Sequence, residues 1–383
     1  MFDVAIVGTG PAGGSAALEL AGHGLKVVVI EKAQLPRYKT CGGGVLWRAA
    51  KLLPIDISSA VDRDCHVAEL IHHDPDLRFS CHRTDPIVRM VMRDRFDAHL
   101  IESAVARGGV TLRVGTTVKS VSVHTEAVVL ATSGGDISAR FVIAADGVNS
   151  AVARALGLPA LRGVVPALEC EAHYPDEIAR PLAEAARFDF GLVPAGYGWV
   201  FPKSGHLSIG VGTTRRGAAN LPLEYERYLQ RLQLPRADHE ERHGYMIPCR
   251  PRARLFDTPR VLLVGDAAGL ADPVTAEGIT AGILSGQLAA RAVLDGRDTP
   301  SRVNRAFANA LDGALLRDLR VARALAWLLY ERPRWCATLL RRHGGGMSEL
   351  MTRIVTGETT YRAAVSRPAH YLYLLIGRRP RAA

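Results

Sequence analysis

Three separated clusters of glycine and acid are the residues of this 383-residue chain whose types and spacing could do chemistry. The first is Gly8-Thr-Gly10-Pro-Ala-Gly13, preceded by the apolar run Phe2-Asp-Val-Ala-Ile-Val and followed by an alanine-rich stretch from Ser15 to His23, then Leu25 to Ile30 and Glu31. Gly8 suits a tight turn, Gly10 lets the backbone approach a pyrophosphate, and Gly13 lets a helix sit against a strand. The helix N-terminus then faces phosphate. Glu31, 23 residues after Gly8, can accept hydrogen bonds from ribose hydroxyls and disfavours a 2'-phosphate. A glycine triplet alone is a weak signal. The strand, helix, strand and acid around this one make it a dinucleotide site, with NAD and a flavin dinucleotide both still open.

The other two clusters decide between them. Arg260-Val-Leu-Leu-Val-Gly265-Asp266 is a buried strand delivering an acid at its C-terminal edge, where ligands lie in open α/β sheets. Twelve residues after Asp266, Gly278-Ile279 opens a long helix to about Leu294. The positive end of that helix suits the negative pyrimidine ring of a reduced flavin. NAD has no use for such an arrangement, so the sequence implies FAD. In the middle segment, Phe141-Val-Ile-Ala-Ala runs into Asp146-Gly147, a strand ending in a turn. Arg93 begins an amphipathic helix, where it either neutralises pyrophosphate or is a surface charge, and Val118 lies in a strand from Thr116 to Val123.

These elements sit in a chain of globular composition, 48% hydrophobic and 22% charged, long enough for two domains with cores of their own. The six cysteines, Cys41, Cys65, Cys81, Cys170, Cys249 and Cys336, show neither a C-x-x-C pair nor zinc spacing, as expected of a reduced, cytoplasmic protein. No run of 18 apolar residues suggests a transmembrane helix. The net charge of +10 comes without a nucleic-acid-binding motif, so no nucleic-acid partner is expected, and an anionic membrane surface fits the charge better. The tail Tyr371 to Ile376 with Arg378, Arg379 and Arg381 could touch lipid headgroups or pack on its own domain. His66, His72, His73 and His82 lack a complete ligand set, so they read as surface histidines and no metal is expected. Lys203 reads as solvated.

Two further stretches complete a resemblance: Pro36-Arg-Tyr-Lys-Thr-Cys41-Gly42-Gly43-Gly44-Val45 and Gly196-Tyr197-Gly198-Trp199-Val200-Phe201-Pro202-Lys203. With the three clusters they resemble the geranylgeranyl reductase family, in the p-hydroxybenzoate hydroxylase branch of the glutathione-reductase-type FAD fold, over roughly residues 1 to 294. The resemblance implies FAD contacts from Gly13, Glu31, Cys41, Gly42, Val45, Arg93, Val118, Asp266, Gly278 and Ile279, beside Gly8, Gly10, Asp146 and Gly147 read from the segments themselves. It implies a substrate cavity lined by Tyr197, Trp199, Phe201 and Pro202, whereas composition alone favours an aromatic strand packed on the core. Cys41 and Tyr197 are the candidate catalytic residues, a structural thiol being the plain alternative for Cys41.

The expected fold is α/β: a Rossmann-like FAD-binding domain with an inserted antiparallel-sheet substrate domain and a helical C-terminal region. The FAD-binding domain would comprise 1–52, 90–165 and 258–300, the substrate domain 53–89 and 166–257, with strands at Leu77 to His82, Arg187 to Val193 and His206 to Gly212. Residues 301–383 would be helical, broken at Pro333, Gly344 to Gly346 and Pro368. The resemblance implies a reductase that hydrogenates isolated C=C bonds of a polyprenyl chain on a lipid, quinone, alcohol or pigment precursor, with NAD(P)H or an iron–sulfur protein as reductant. An aromatic monooxygenase shares the fold. A halogenase fits less, because only Trp199 stands where halogenases carry paired tryptophans. A non-catalytic electron-transfer flavoprotein, docking a donor protein, is the alternative outside catalysis.

Overall fold

The computed structural model describes residues 1–73, 76–215, 220–296 and 299–366. Runs of Val and Ile build its first sheet. Val27–Ile30, Phe2–Val7 and Gly135–Ala144 lie side by side and parallel, with Val110–Arg113 beyond the first. Val261–Leu263 pairs in parallel with Gly135–Ala144, and Val128–Thr132 and Val118–Val123 extend that strand antiparallel. The inner strands are buried on both faces, as continuous apolar runs in a parallel sheet require. Helix Ile279–Gly296 packs on helix Pro11–Leu20 at close quarters: a Cβ on Gly286 would stand 2.2 Å from the carbonyl oxygen of Ala12.

The second sheet runs His239–Pro248, Val164–His173, Leu207–Thr213, Gly196–Pro202, Ala186–Phe190, Val67–His73, Asp76–His82. Every pairing is antiparallel except Ala186–Phe190 with Val67–His73. All three strands anticipated from the sequence belong here. The stretch 53–89 divides, however. Val61–Cys65 leaves the large sheet and pairs with Val88–Val91, which also pairs with Gly44–Leu46.

Past residue 300 the chain is helical: Pro300–Leu311, a π-helical turn Asp312–Leu316, Arg317–Glu331, Pro333–Thr356 and Tyr361–Ser366. Pro333 does start a new helix, at the first turn where its missing N–H costs nothing. The expected break at Gly344 to Gly346 does not occur, and the helix runs through it. Gly344 is there for contact: a Cβ would meet the Phe79 ring at 2.0 Å, so the glycine lets the helix lie against the edge strand of the large sheet. Pro368 and the tail from Tyr371 onward lie outside the described residues.

Candidate functional site

A single cavity of about 1440 Å³ runs between the two sheets and under the C-terminal helices. That exceeds the roughly 300–1,000 Å³ of a site for one small ligand. At one end stands the first glycine turn. Gly8 has φ +101°, and a Cβ on Gly13 would lie 1.9 Å from the Gly8 carbonyl oxygen, so the helix seats directly on the turn only without side chains there. The amide and hydroxyl of Thr9 donate to Glu31 at 3.1 and 2.5 Å, the Ala33 amide donates at 3.1 Å, and Arg37 lies 3.3 Å away. Burial works to raise Glu31, but these donors and the Arg37 charge outweigh it and hold the carboxyl below its usual range. Arg93 is buried, forks onto Asp97 with two 2.9 Å bonds, and Arg37 reaches the same carboxylate at 3.0 Å. Burial opposes its charge; Asp97, with Cys41 nearby, outweighs this and keeps the guanidinium protonated. Arg93 and Arg37 are held on Asp97 and Glu31, two cations against two anions, so what the cluster offers beside Gly10 is guanidinium N–H donors next to a helix N-terminus, a donor set that suits a pyrophosphate. The surface-charge reading of Arg93 is thereby replaced.

Midway along, Asp266 is half-buried in the helical turn Gly265–Ala268 and accepts from the Tyr245 hydroxyl at 3.0 Å. Burial pushes this carboxyl up, against Lys39, Tyr245 and Arg93. Its Oδ1 would lie 3.1 Å from a Cβ on Gly278, which places Asp266 against the start of helix Ile279–Gly296. The Lys39 ammonium sits over the Tyr245 ring at 3.3 Å, and burial first of all lowers it to about 8. Cys41, half-buried, accepts from the Gly43 amide at 3.4 Å. Asp146 accepts from the Val152 amide at 3.0 Å. Cys41, Gly42, Val118, Asp146, Gly147, Asp266, Gly278 and Ile279 all line the cavity.

The far end is apolar. Alternation along Gly196–Pro202 points Tyr197, Trp199 and Phe201 into the cavity. The same alternation corrects one expectation: Pro202 is buried but belongs to the other face and does not line the cavity. The Trp199 indole lies flat across Gly210, where a Cβ would meet it at 2.1 Å. A Cβ on Gly42 would meet Phe201 at 2.9 Å, so the two motif stretches, 150 residues apart in sequence, pack together. The Trp199 indole N–H has no partner among the described residues. The Tyr197 hydroxyl donates to the Thr275 carbonyl at 2.5 Å, so its proton is committed to backbone. Leu325, Leu329, Leu339, Leu340, Met347 and Met351 of helices Arg317–Glu331 and Pro333–Thr356 close the chamber.

Two polar expectations fail. Lys203 is not solvated; it is buried and donates to the Val91 carbonyl at 2.6 Å. His72 is buried, and His73 reaches Asp189 at 2.6 Å, so neither is a surface histidine. Gly13 and Val45 lie beneath the cavity wall rather than on it. Arg37, Tyr38, Lys39, Tyr245 and Glu169 line the cavity without having been singled out. For Arg37 to Lys39 the signal was their place in the loop leading to Cys41; for Tyr245 no local pattern existed.

Residues 1–171 match the family described as FAD binding domain. The menaquinone reductase of Mycolicibacterium smegmatis is 33% identical over 360 residues, covering 85% of this chain and 84% of that one. The chloroplastic geranylgeranyl diphosphate reductase of Nicotiana tabacum is 30% identical over 327 residues, covering 78% and 68%. Among solved structures, a geranylgeranyl bacteriochlorophyll reductase-like protein from Thermoplasma acidophilum superposes with a TM-score of 0.75 over 99% of this chain and 97% of that one, at 22% identity. The cradle for a dinucleotide, the helix start behind Asp266 and these likenesses agree: the chain belongs to the geranylgeranyl reductase family of FAD-dependent oxidoreductases.

Proposed function

We propose that this protein reduces isolated C=C bonds of a prenyl chain carried by a lipid, quinone, alcohol or pigment precursor. The observation that carries the reading is the continuity of one cavity from a dinucleotide cradle into a chamber walled by aromatic and aliphatic side chains. Menaquinone and geranylgeranyl diphosphate, named for two relatives, share a polyprenyl chain and differ in head group. A chamber that grips the chain suits either.

In this reading Gly10, the first-turn amides and Arg93 hold the pyrophosphate of FAD, Glu31 holds a ribose, and the amides of Gly278 and Ile279 face the pyrimidine ring. Gly8, Gly13 and Val45 shape the backbone around it. Bound and reduced, the flavin supplies hydride. The chain's own residues position the alkene and exclude water: Trp199 and Phe201 face the Cys41-Gly42 loop, and the leucines of the two C-terminal helices enclose the tail. Cys41 stands at the junction of the two ends. Electrons come from NAD(P)H or an iron–sulfur protein.

The outer side of those helices supports a peripheral membrane location. Trp327 and Trp335 are 53% and 69% exposed. Arg332 lies over the Trp327 ring at 4.9 Å, and Arg323, Arg334, Arg341 and Arg342 are exposed around them. Tryptophan and arginine together suit an anionic bilayer surface. No helix among the described residues is long and apolar enough to cross a membrane.

Incubating the protein with reductant and prenyl substrates that differ only in head group, then weighing the products, tests the reading. Addition of hydrogen to the chain supports it; addition of oxygen to an aromatic ring would replace it with a monooxygenase.

A further inference from the structure

One face of the large sheet changes character along its length. Side chains alternate along a strand, so Glu169, Glu171 and His173 of Val164–His173 share a face. The register sets Gly210 and Ser208 beside them on one neighbouring strand and His243, Glu241 and His239 on the other. Glu169 is 2% exposed and lines the cavity. It accepts from the Tyr38 hydroxyl at 3.1 Å and from the Ser208 hydroxyl at 3.0 Å. Glu171 is the next residue along this face; burial, then the second carboxyl, push Glu169 upward, while His206 and Lys203 outweigh burial and hold Glu171 down.

From Glu171 the track continues outward. His206 Nε2 lies 2.9 Å from Glu171 Oε2, at ion-pair distance without the alignment of a hydrogen bond. The His206 ring stacks on His173 at 5.0 Å, and His173 meets His239 at 5.6 Å. His173 and His239 are exposed. Also facing the track are Lys203, buried, whose charge acts on both acids and on Asp62, Cys41 from the loop, His243, whose ring packs on Tyr38 at 4.4 Å, and Glu241, 3.4 Å from His239 and 3.7 Å from His243. A buried pair of acids is costly to keep. Apart from Cys41, none of these groups is among the residues assigned to the dinucleotide.

We propose that Tyr38, Glu169, Glu171 and His206 form a proton relay between solvent at the His173 and His239 edge and the reacting end of the cavity. The inference rests on the prenyl-reduction reading and deepens it. Saturating one C=C bond adds a hydride and a proton. The hydride, with both electrons, comes from the reduced flavin; the proton comes from the Glu169 carboxyl, whose O–H bond breaks as the new C–H bond forms. The resulting carboxylate is stabilised by Tyr38, Ser208 and Lys203. It takes its next proton from Glu171, and Glu171 from water through His206. The net change is one solvent proton consumed for each double bond saturated.

Two measurements on the full chain test the relay. The first needs no turnover: infrared spectra recorded on rapid mixing of the protein into D2O follow the C=O band of a protonated buried carboxyl. The band should be present in the wild type and missing in Glu169→Gln. Its exchange should slow at least tenfold in His206→Ala and recover with added imidazole, which a merely structural role would not produce. Absence of the band, or exchange in His206→Ala as fast as in the wild type, overturns the relay whatever the substrate. The second is single-turnover reoxidation of chemically reduced protein by geranylgeranyl diphosphate. Glu169→Gln should bind FAD normally yet reoxidise roughly 10²- to 10⁴-fold more slowly, and reoxidation at the wild-type rate would also overturn the relay. A wild-type protein that passes the infrared test but is not reoxidised by any prenyl compound would count against the prenyl reading alone, leaving the proton path standing.

Discussion

Replacing Gly286 by alanine should loosen FAD without touching it. The residue lies in helix Ile279–Gly296, two turns from the Gly278-Ile279 end that faces the cavity. Its new Cβ would stand 2.2 Å from the Ala12 carbonyl oxygen, whereas ordinary contact begins at 3.4 Å, a shortfall of about 1.2 Å. The obstacle is backbone, which cannot rotate aside. Alanine in a helix interior gains about 1 kcal/mol of propensity over glycine, but overpacking costs about 1–3 kcal/mol, so the clash wins. Both helices end at the cradle, and a displacement on the order of 1 Å at a positioning element is worth up to about 10²-fold. FAD affinity should therefore fall about tenfold to hundredfold, read by titrating apoprotein with FAD and following flavin fluorescence, and the urea midpoint should drop. Gly345→Ala is the control: it is the same change in an exposed helical position with nothing within 4 Å of the new Cβ, and it should be neutral or stabilising by up to about 1 kcal/mol. If Gly286→Ala bound FAD like the wild type with an unchanged midpoint, the reading of the two helices as one rigid cradle would be refuted.

Leu329→Trp, in the chamber wall, should shift kcat/KM toward shorter prenyl chains by at least about tenfold, since each CH₂ denied burial forfeits about 0.8 kcal/mol; an unchanged ratio between chain lengths would remove the tail from this chamber. Burial lowers Lys39 to about 8 from 10.5, so in the apoprotein its charge is a penalty that is fully present below pH 8 and relieved as pH rises toward 10.5. Wild-type stability should accordingly gain more than that of Lys39→Met across this window, and parallel pH profiles of the urea midpoint would contradict the assignment. Trp327→Ala with Trp335→Ala should weaken co-sedimentation with vesicles containing phosphatidylserine, while equal binding by the double variant would place any membrane contact elsewhere.

The dinucleotide cradle was legible in the sequence because its parts are local. Gly8, Gly10, Gly13 and Glu31 fall within one strand, helix and strand, and Asp266 with Gly278 within another turn and helix start. Arg93 was legible as a residue, but its burial on Asp97 and its company with Arg37, 56 residues away, are products of folding. The errors have the same origin. Gly344 reads as a helix breaker until Phe79 is seen against it. Lys203 reads as solvated because nothing nearby in sequence announces the Val91 carbonyl. Glu169 and Glu171, alternating along a strand with Cys170 between them, look like the wet face of a sheet; the Tyr38 loop covers that face from 131 residues upstream. Pro202 was avoidable, since strand alternation already separates it from Tyr197, Trp199 and Phe201.

The central claim is that a reduced flavin in this cavity hands hydride to a prenyl alkene. Its most direct test is anaerobic: reduce the FAD-loaded protein chemically, add geranylgeranyl diphosphate or a prenyl quinone, and follow flavin absorbance together with the mass of the chain. Return of the oxidised flavin spectrum in step with uptake of hydrogen by the chain is the result expected. A flavin that stays reduced with every prenyl compound and reoxidises only when oxygen is admitted would contradict the account.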